Sequence, residues 1–234
     1  LDGGAGWDEL TYAQDPSIQR IVVTVQSGRV SKFVLAAGQP SQQTDLISGI
    51  ERFVGTAGAD RFIGWGQDEQ FQGGRGNDTL DGGAGFDWAL YGNATGSVVA
   101  NLETGIVQDG EGGTDRLRLL APLDNSIEAL MGGVHADSLR GDNDDNFLRG
   151  SWGADTLDGA AGFDTVDYAN DTDFNGDGLG VVVNLSATTR AGVAGGTARD
   201  TRGDIDRLSG FEAARGTAFR DHLIGGDQNS EHFR

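Results

Sequence analysis

Apolar residues recur every nine positions in two stretches of the chain, each in the middle of a short triplet between glycine-rich segments. The first stretch contains Phe62, Phe71, Leu80 and Ala89, and the second contains Leu139, Leu148, Leu157 and Val166. A triplet is too short to be an independent strand, so its single apolar side chain must face an interior shared with neighbouring triplets. The pattern therefore predicts very short stacked strands joined by tight turns.

Each nine-residue unit begins with glycine and has an acid at its sixth position. In residues 55–91 the glycines are Gly55, Gly64, Gly73 and Gly82, and the acids are Asp60, Glu69, Asp78 and Asp87. Glycine tolerates positive φ, so this half of the unit can bend tightly and turn its carbonyl groups toward one point. Hairpin turns between antiparallel strands are the alternative, but hairpins need longer strands and do not require a step of nine.

Two units make one coil, with a turn and a short strand on each side, so each residue is expected to stack on its equivalent two units later. The expected pairs at the sixth position are Asp60 with Asp78, Glu69 with Asp87, Asp137 with Asp155, and Asn146 with Asp164. This arithmetic predicts an all-β solenoid of parallel strands.

A longer repeat is superimposed on the short one. LDGGAGWD begins at Leu1, LDGGAGFD at Leu80 and LDGAAGFD at Leu157. In each copy an insert follows, with a predicted strand at 21–25, 97–102 or 180–185, and then an acid, a leucine and a short Ile-Glu or Phe-Glu element. We therefore expect three super-repeats of about 78 residues, 1–79, 80–156 and 157–234, in one continuous solenoid that stacks onto further repeats of a longer chain.

The charge of the chain favours a cation as ligand. It has 36 acidic and 17 basic residues and a formal net charge of −19, which argues against nucleic acid and anionic membrane surfaces as partners. Scattered acids would indicate solubility alone, but these acids sit at fixed offsets inside glycine loops. No apolar stretch is long enough to span a membrane.

Calcium is the cation that suits stacked carboxylates. Like charges this close cannot all stay ionised without compensation. Calcium accepts six to eight hard oxygen ligands in flexible geometry, whereas magnesium demands a stricter octahedron. Zinc would want His or Cys, and the chain has 3 unpaired histidines and no cysteine.

The unit GGRGNDTLD at 73–81 resembles, at every position, the GGxGxDxUx nonapeptide of the repeats-in-toxin (RTX, haemolysin-type) family. The resemblance implies a right-handed parallel β-roll, with several calcium ions bound by sixth-position acids and by glycine carbonyl groups. It also implies export through a type I secretion channel, folding on calcium outside the cell, and a secreted or bacterial cell-surface location. The candidate ligands on this basis are Asp8, Asp60, Asp78, Asp87, Asp137, Asp155, Asp164, Gly74, Gly76, Gly83, Gly85, Gly153 and Gly162.

Several units depart from the nonapeptide pattern. These are the units at 64–72, 132–140, 141–149 and 216–224, which carry Gln67, His135, Asp144 and Phe219 at the fourth position. Such loops would bind weakly, bind differently or serve only as turns, so one ion per unit is not expected.

Residues 171–178, DTDFNGDG, resemble the front half of an EF-hand calcium loop, with Asp171, Asp173, Asn175 and Asp177 at alternate positions. The twelfth position is Val182 and not the glutamate that closes such a loop. Two interpretations stay open: a calcium loop completed by another segment, or a solvated acidic turn.

No catalytic motif accompanies these repeats. The sequence contains neither HExxH nor GxSxG, and His135 and His222 fit as turn and strand residues, so we predict no enzymatic activity in this chain. The predicted function is a calcium-binding structural or interaction module of an exported bacterial protein, of stalk, adhesin or surface-layer type. Its partners would be cell-surface proteins or glycans. The alternative is the repeat region of a secreted hydrolase or polysaccharide-modifying enzyme, with the catalytic domain attached outside this chain.

Overall fold

A computed structural model describes residues 1–36, 39–117, 127–174, 176–226 and 232–233. Over these residues the chain is all β, with one 3-10 turn at Val25–Ser27 and no α-helix. None of them forms a helix long and apolar enough to cross a membrane. The strands are β1 (Glu9–Thr11), β2 (Ile18–Thr24), β3 (Arg29–Ala36), β4 (Gln39–Leu46), β5 (Arg52–Val54), β6 (Arg61–Ile63), β7 (Gln70–Gln72), β8 (Thr79–Asp81), β9 (Trp88–Leu90), β10 (Val99–Asn101), β11 (Ile106–Gln108), β12 (Thr114–Arg116), β13 (Ala129–Met131), β14 (Ser138–Arg140), β15 (Phe147–Arg149), β16 (Thr156–Asp158), β17 (Thr165–Asp167), β18 (Leu179–Asn184), β19 (Thr197–Arg199), β20 (Ile205–Ser209), β21 (Ala213–Arg215), β22 (Arg220–Ile224) and β23 (His232–Phe233).

The nonapeptide strands are triplets whose middle residue is buried, as the spacing of apolar residues predicts. Phe62, Phe71 and Leu80 are fully buried in one continuous hydrophobic core. The rings of Phe62 in β6 and Phe71 in β7 lie 5.6 Å apart, so successive triplets contribute to the core from opposite sides. One apolar side chain per triplet is enough because every coil adds the next layer.

Successive triplets alternate between two sheets. The first sheet has the order β1-β5-β7-β9-β13-β15-β17-β21-β23 and is parallel throughout. The second has the order β22-β18-β19-β20-β16-β14-β10-β11-β12-β8-β6-β2-β3-β4 and is mixed. Arg61 pairs with Thr79 and Gln70 pairs with Trp88, so strands two nonapeptide units apart are neighbours. The all-β roll of parallel strands is therefore confirmed, while its right-handed winding stays a prediction from the resemblance.

The inserts are part of the second sheet. Each forms a three-stranded antiparallel meander, β2-β3-β4, β10-β11-β12 or β18-β19-β20. The first strand of each meander pairs in parallel with a later nonapeptide strand, β6, β14 or β22. The third strands β12 and β20 pair with the earlier strands β8 and β16. The meanders thus extend the same ladder, and their residues come into register with the nonapeptide loops.

Candidate metal centre

The sixth-position acids form ladders of hydrogen bonds along the roll. The backbone N–H of Asp60 donates to Oδ1 of Asp78 at 2.8 Å, and that of Glu69 donates to Oδ1 of Asp87 at 2.7 Å. The second block repeats both bonds at 2.8 Å: Asp137 donates to Asp155, and Asn146 donates to Asp164. All four pairs expected from a coil of two units are therefore brought together.

Acids of the inserts continue these ladders. The N–H groups of Asp78 and Asp155 donate to Oδ1 of Asp115 and Asp206, at 2.8 and 2.9 Å. The other ladder is continued by glutamates: Asp8 donates to Glu51, Asp87 to Glu128 and Asp164 to Glu212, at 2.8 to 3.0 Å. These five insert acids were not among the predicted site residues. Their signal was the acid-and-leucine element and the Ile-Glu or Phe-Glu element of the inserts, which occupy the sixth position of a coil.

The loops are of two kinds, which differ in the hydrogen bonding of the second side-chain atom of the sixth-position residue. In the first kind, which we call closed loops, the N–H of the second loop residue donates to the sixth-position side chain. Thr56 donates to Asp60 and Gly133 donates to Asp137, at 2.5 and 2.6 Å. The closed loops are Gly55–Asp60, Gly64–Glu69, Gly132–Asp137 and Gly141–Asn146. Their acids therefore have backbone donors for both side-chain oxygens, except Glu69, whose Oε1 is unpartnered.

In the second kind, the open loops, Oδ2 of the acid is buried and has no hydrogen-bond partner. The cause is backbone conformation: Gly74 and Gly76 have φ of 89° and 121°, and Ser151 and Gly153 have φ of 73° and 119°. This left-handed pair turns the N–H of the second residue away from the carboxylate. The open loops are Gly3–Asp8, Gly73–Asp78, Gly82–Asp87, Gly150–Asp155 and Gly159–Asp164.

Main-chain carbonyl groups of each closed loop approach the open loop stacked on it. A Cβ atom on Gly76 would lie 2.6 Å from the carbonyl oxygen of Gly58, and one on Gly153 would lie 2.5 Å from that of His135. A side chain at either glycine would fill the gap between the loops. Carboxylate and carbonyl oxygens thus line the same gap, which is the donor set that calcium prefers.

The residues present therefore fit calcium, with the main chain as an essential contributor. Over the part of the chain that the structure describes, no group of three or more His, Cys, Asp or Glu side chains has metal-binding geometry. A cation in a loop gap would accordingly depend on carbonyl oxygens in addition to the acids of two stacked loops.

The electrostatics of the ladders show how strongly the buried acids need compensation. Burial raises the pKa of Asp78 to about 9, and the neighbouring charge of Asp115 adds to the effect. Burial likewise raises the pKa of Asp155 to about 8 and that of Asp164 to about 7. The pKa values of Glu69 and Asp87 are also raised, first by burial. Without a cation, the folded ladders therefore retain protons at neutral pH.

The acids of the EF-hand-like segment at 171–178 do not lie together around one point. Asp173 accepts N–H groups on both oxygens, from Gly176 and Asp177 on Oδ1 and from Gly178 on Oδ2, so it caps its own turn. Asp171 is buried and its Oδ2 has no partner. Burial, followed by the charges of Asp200 and Asp206, raises its pKa to about 7.

Asp171 thus lies with the acids of the third meander and not with Asp173. Asp177 accepts the N–H of Leu179 at 2.9 Å, and Asn175 lies outside the described residues. The two histidines weighed as catalytic candidates, His135 and His222, are exposed.

Comparison with known proteins agrees with this geometry. A family model described as the RTX calcium-binding nonapeptide repeat (4 copies) matches residues 47–89 and 131–166. No curated protein matches the chain. The matched residues contain all four closed loops and, in each block, the open loops stacked on them. Residues 47–89 and 131–166 are therefore RTX calcium-binding nonapeptide repeats.

Proposed function

We propose that this chain is a structural module of an exported bacterial protein that folds when it binds calcium. The observation that carries the proposal is the set of open loops, in which a buried, unpartnered carboxylate oxygen lies beside main-chain carbonyl groups. A buried polar atom without a partner destabilises the folded state, and an ionised one does so more strongly. Such atoms in five loops of one chain indicate that a ligand belongs to the folded state.

The residues of each gap have distinct roles in this proposal. In the gap between residues 55–60 and 73–78, Oδ1 of Asp78 holds the ladder through the N–H of Asp60, which leaves Oδ2 for a cation. Bound calcium would supply the positive charge that lets both acids stay ionised. The left-handed glycines hold the loop so that no amide competes for that oxygen. The same role is proposed for the other open-loop acids, Asp8, Asp87, Asp155 and Asp164, with Gly74, Gly76, Gly83, Gly85, Gly153 and Gly162 as the glycines of the open loops. Asp60 and Asp137 are proposed as ligands from the closed loops, where their oxygens also accept backbone N–H groups.

The finer parts of the proposal concern the whole exported protein. The net charge of −19 and the glycine turns favour a chain that stays extended where calcium is scarce and folds where it is abundant. We place this chain outside the cell, as a stalk, adhesin or surface-layer segment divided into super-repeats at 1–79, 80–156 and 157–234. Support comes from the second sheet, which contains all three meanders in one continuous ladder.

A calcium titration of circular dichroism and tryptophan fluorescence, started in EGTA, tests the central proposal. We expect a cooperative gain of β structure with calcium and a much weaker response to magnesium at equal concentration. An unchanged cooperative fold in EGTA at neutral pH would refute the proposal.

Matched variants connect the response to the ladders. Asp78→Asn and Asp155→Asn each remove one buried carboxylate, whereas Glu103→Gln removes a charge that is exposed and held only by a 3.6 Å ion pair to Arg140. We expect the two ladder variants to need at least several times more calcium for half-maximal folding, and the control to titrate like the wild type. Equal midpoints for all three variants would argue that these acids are not ligands.

The proposal assigns no catalysis to this chain. His135 and His222 are exposed, and His135 faces the gap beside Gly153 through its backbone carbonyl oxygen. The calcium-loaded chain is therefore expected to show no hydrolase or polysaccharide-modifying activity, and any such activity that Asp78→Asn abolishes would overturn this part of the proposal.

A further inference from the structure

An aspartate of each meander accepts a hydrogen bond from a tyrosine, and the pair is buried in the second and third copies. Tyr12 donates its hydroxyl to Oδ2 of Asp45 at 2.7 Å, Tyr91 donates to Asp115 at 3.2 Å, and Tyr168 donates to Asp206 at 2.7 Å. Each aspartate has an equivalent cross-strand neighbour in its meander. The three register pairs are Val30 with Asp45, Val107 with Asp115, and Ala198 with Asp206. The three copies can therefore be compared residue by residue.

The charge at one register position is reversed between the copies. Two residues after the cross-strand neighbour, the first copy has Lys32, whereas the second has Asp109 and the third has Asp200. In the first copy the ammonium of Lys32 lies 3.0 Å from Oδ1 of Asp45 and compensates its charge. In the other copies an aspartate at this position adds a negative charge beside Asp115 or Asp206.

No basic side chain replaces the missing lysine. Over the part of the chain that the structure describes, Asp109, Asp115, Asp200 and Asp206 form no ion pair with Lys, Arg or His. Positive charge is therefore lacking at the position where the first copy supplies it from the protein.

The turn aspartates are held in a fixed orientation with one oxygen left over. Oδ1 of Asp109 accepts the N–H groups of Glu111 and Gly113, both at 2.8 Å. Oδ1 of Asp200 accepts three N–H groups, from residues 202, 203 and 204. Oδ2 of both aspartates is buried without a partner, in side chains that are 1% and 4% exposed.

The unpartnered oxygen of Asp109 points toward the loop of Asp78. A Cβ atom on Gly113 would lie 2.5 Å from Oδ2 of Asp109 and would also collide with the carbonyl oxygen of Gly76. Asp78 contributes a second buried, unpartnered Oδ2 from this loop, and its N–H donates to Asp115. Oxygen atoms of the meander and of the nonapeptide loop thus face one another across this junction.

The third meander repeats the hydrogen bond to the loop acid and the unpartnered oxygens, and it has one acid more. Asp155 donates its N–H to Asp206 and has an unpartnered Oδ2, as Asp78 does in the second copy. Asp171 adds another buried, unpartnered oxygen beside Asp200 and Asp206.

We propose that Asp109 and Asp200 each bind one calcium ion at the junction between a meander and the preceding nonapeptide loop. The first ion would be shared with Asp78 and Asp115, and the second with Asp155, Asp206 and Asp171, so that Oδ2 of Asp78 or Asp155 would bridge the junction ion and the ion proposed in the adjoining nonapeptide gap. Because these side chains alone lack the geometry of a metal cluster, carbonyl oxygens such as that of Gly76, together with water, complete the six to eight ligands of calcium. Lys32 is the internal substitute for this ion in the first copy.

Counting bound ions by native mass spectrometry at buffered calcium tests the proposal. Asp109→Lys and Asp200→Lys copy the residue of the first meander, so each is expected to bind one ion fewer than the wild type, and the double variant two fewer. Glu103→Lys makes the same charge change at an exposed position and is expected to leave the number unchanged. An unchanged number in the double variant would overturn the proposal.

A second measurement keeps the test valid if the lysine variants fail to fold. Tyr91 and Tyr168 contact the acids of the two junctions, so terbium bound there should show tyrosine-sensitised emission. Asp109→Asn with Asp200→Asn should lower this emission at least severalfold, and unaltered emission would contradict the junction sites. The outcome is separable from nonapeptide binding: if nonapeptide gaps bind no calcium, the wild type would still carry the two ions that the double lysine variant loses.

Discussion

Without calcium, the folded chain is expected to lose stability as the pH rises from about 5 to about 8. The pKa values of the ladder acids are raised in the folded state, with burial as the largest cause. An acid whose pKa is raised in the folded state contributes stability that is present below its unfolded pKa. This stability is lost as the pH rises through the folded pKa. The window therefore extends from the ordinary carboxyl range up to the folded values of about 7 to about 9.

The pKa values of two residues are enough to estimate how much stability the calcium-free fold loses. The pKa of Asp78 is raised from 3.8 to about 9 and that of Asp155 from 3.8 to about 8. Since one pKa unit corresponds to about 1.4 kcal/mol, each residue destabilises the calcium-free fold by about 4 kcal/mol at pH 7 relative to pH 4. Together they remove about 8 kcal/mol, which is comparable to the whole unfolding free energy of an ordinary domain, about 5–15 kcal/mol.

Urea unfolding in EGTA, followed by tryptophan fluorescence at several pH values, measures this dependence. We expect the midpoint to fall as the pH rises in the wild type and to fall less steeply in the double variant Asp78→Asn, Asp155→Asn, which keeps the other buried acids with raised pKa values. The double variant should therefore be more stable than the wild type without calcium at pH 7.5 and less stable with calcium. Glu103→Gln, an exposed control with the same charge change per site, should keep the wild-type slope.

Either of two results would refute proton uptake by the ladder acids. A calcium-free wild type whose stability rises between pH 5 and 8 would show that the buried acids are not protonated in the folded state. A double variant that keeps the wild-type slope would show that the proton uptake occurs at groups other than these two carboxylates.

Three further variants test the loops themselves. Asn146→Asp places a carboxylate oxygen where the unpartnered Nδ2 now lies, so calorimetry should detect tighter calcium binding and a less stable calcium-free protein; unchanged affinity would contradict the ladder. Gly76→Ala adds a methyl group at φ of 121° against a neighbouring carbonyl and should raise the calcium midpoint at least several times, whereas Gly66→Ala, with open space and no positive φ, should not; equal midpoints would argue against the gap. Ala160→Gly relieves φ of 76° and should stabilise the calcium-bound fold by about 1 kcal/mol in urea unfolding, whereas Ala161→Gly should destabilise it, and the reverse order would contradict the loop conformation.

The repeat step determined most of what could be predicted from the sequence. Glycine, acid and apolar residue recur at fixed offsets, so the coil of two units and the stacked pair of Asp60 and Asp78 follow from counting. Residue spacing does not predict the stacking partners in the inserts. The inserts differ in length, and no fixed offset shows which of their acids bonds to the acid ladder. Asp115 and Asp78 are separated by a sequence distance that fits no whole number of coils, and only the pairing of β12 with β8 brings them together.

Open and closed loops also could not be told apart without the backbone conformation of the structure. Asp60 and Asp78 have the same residue type, ladder position and burial, but their second oxygens differ because a left-handed second residue withdraws its N–H from the carboxylate. Ser151 shows why sequence was insufficient, since it adopts φ of 73° without being glycine. The two interpretations of the EF-hand-like segment could not be separated from sequence for a related reason: alternating acids do not reveal whether local N–H groups already bind the carboxylate of Asp173.

The departures from the nonapeptide pattern acquire a physical meaning from this arrangement. Each gap of the two blocks joins a closed loop to the open loop two units later. At the fourth position, Gln67, His135 and Asp144 present their carbonyl oxygens to the fourth-position glycine of the open loop. Every residue type carries that carbonyl group, so the side chain of the closed loop can vary without changing the oxygen it offers. Glycine is required only on the opposite side of the gap, where a Cβ atom would displace the oxygen. If the gaps bind calcium as proposed, the units at 64–72, 132–140 and 141–149 would therefore still offer the carbonyl oxygen that a site needs.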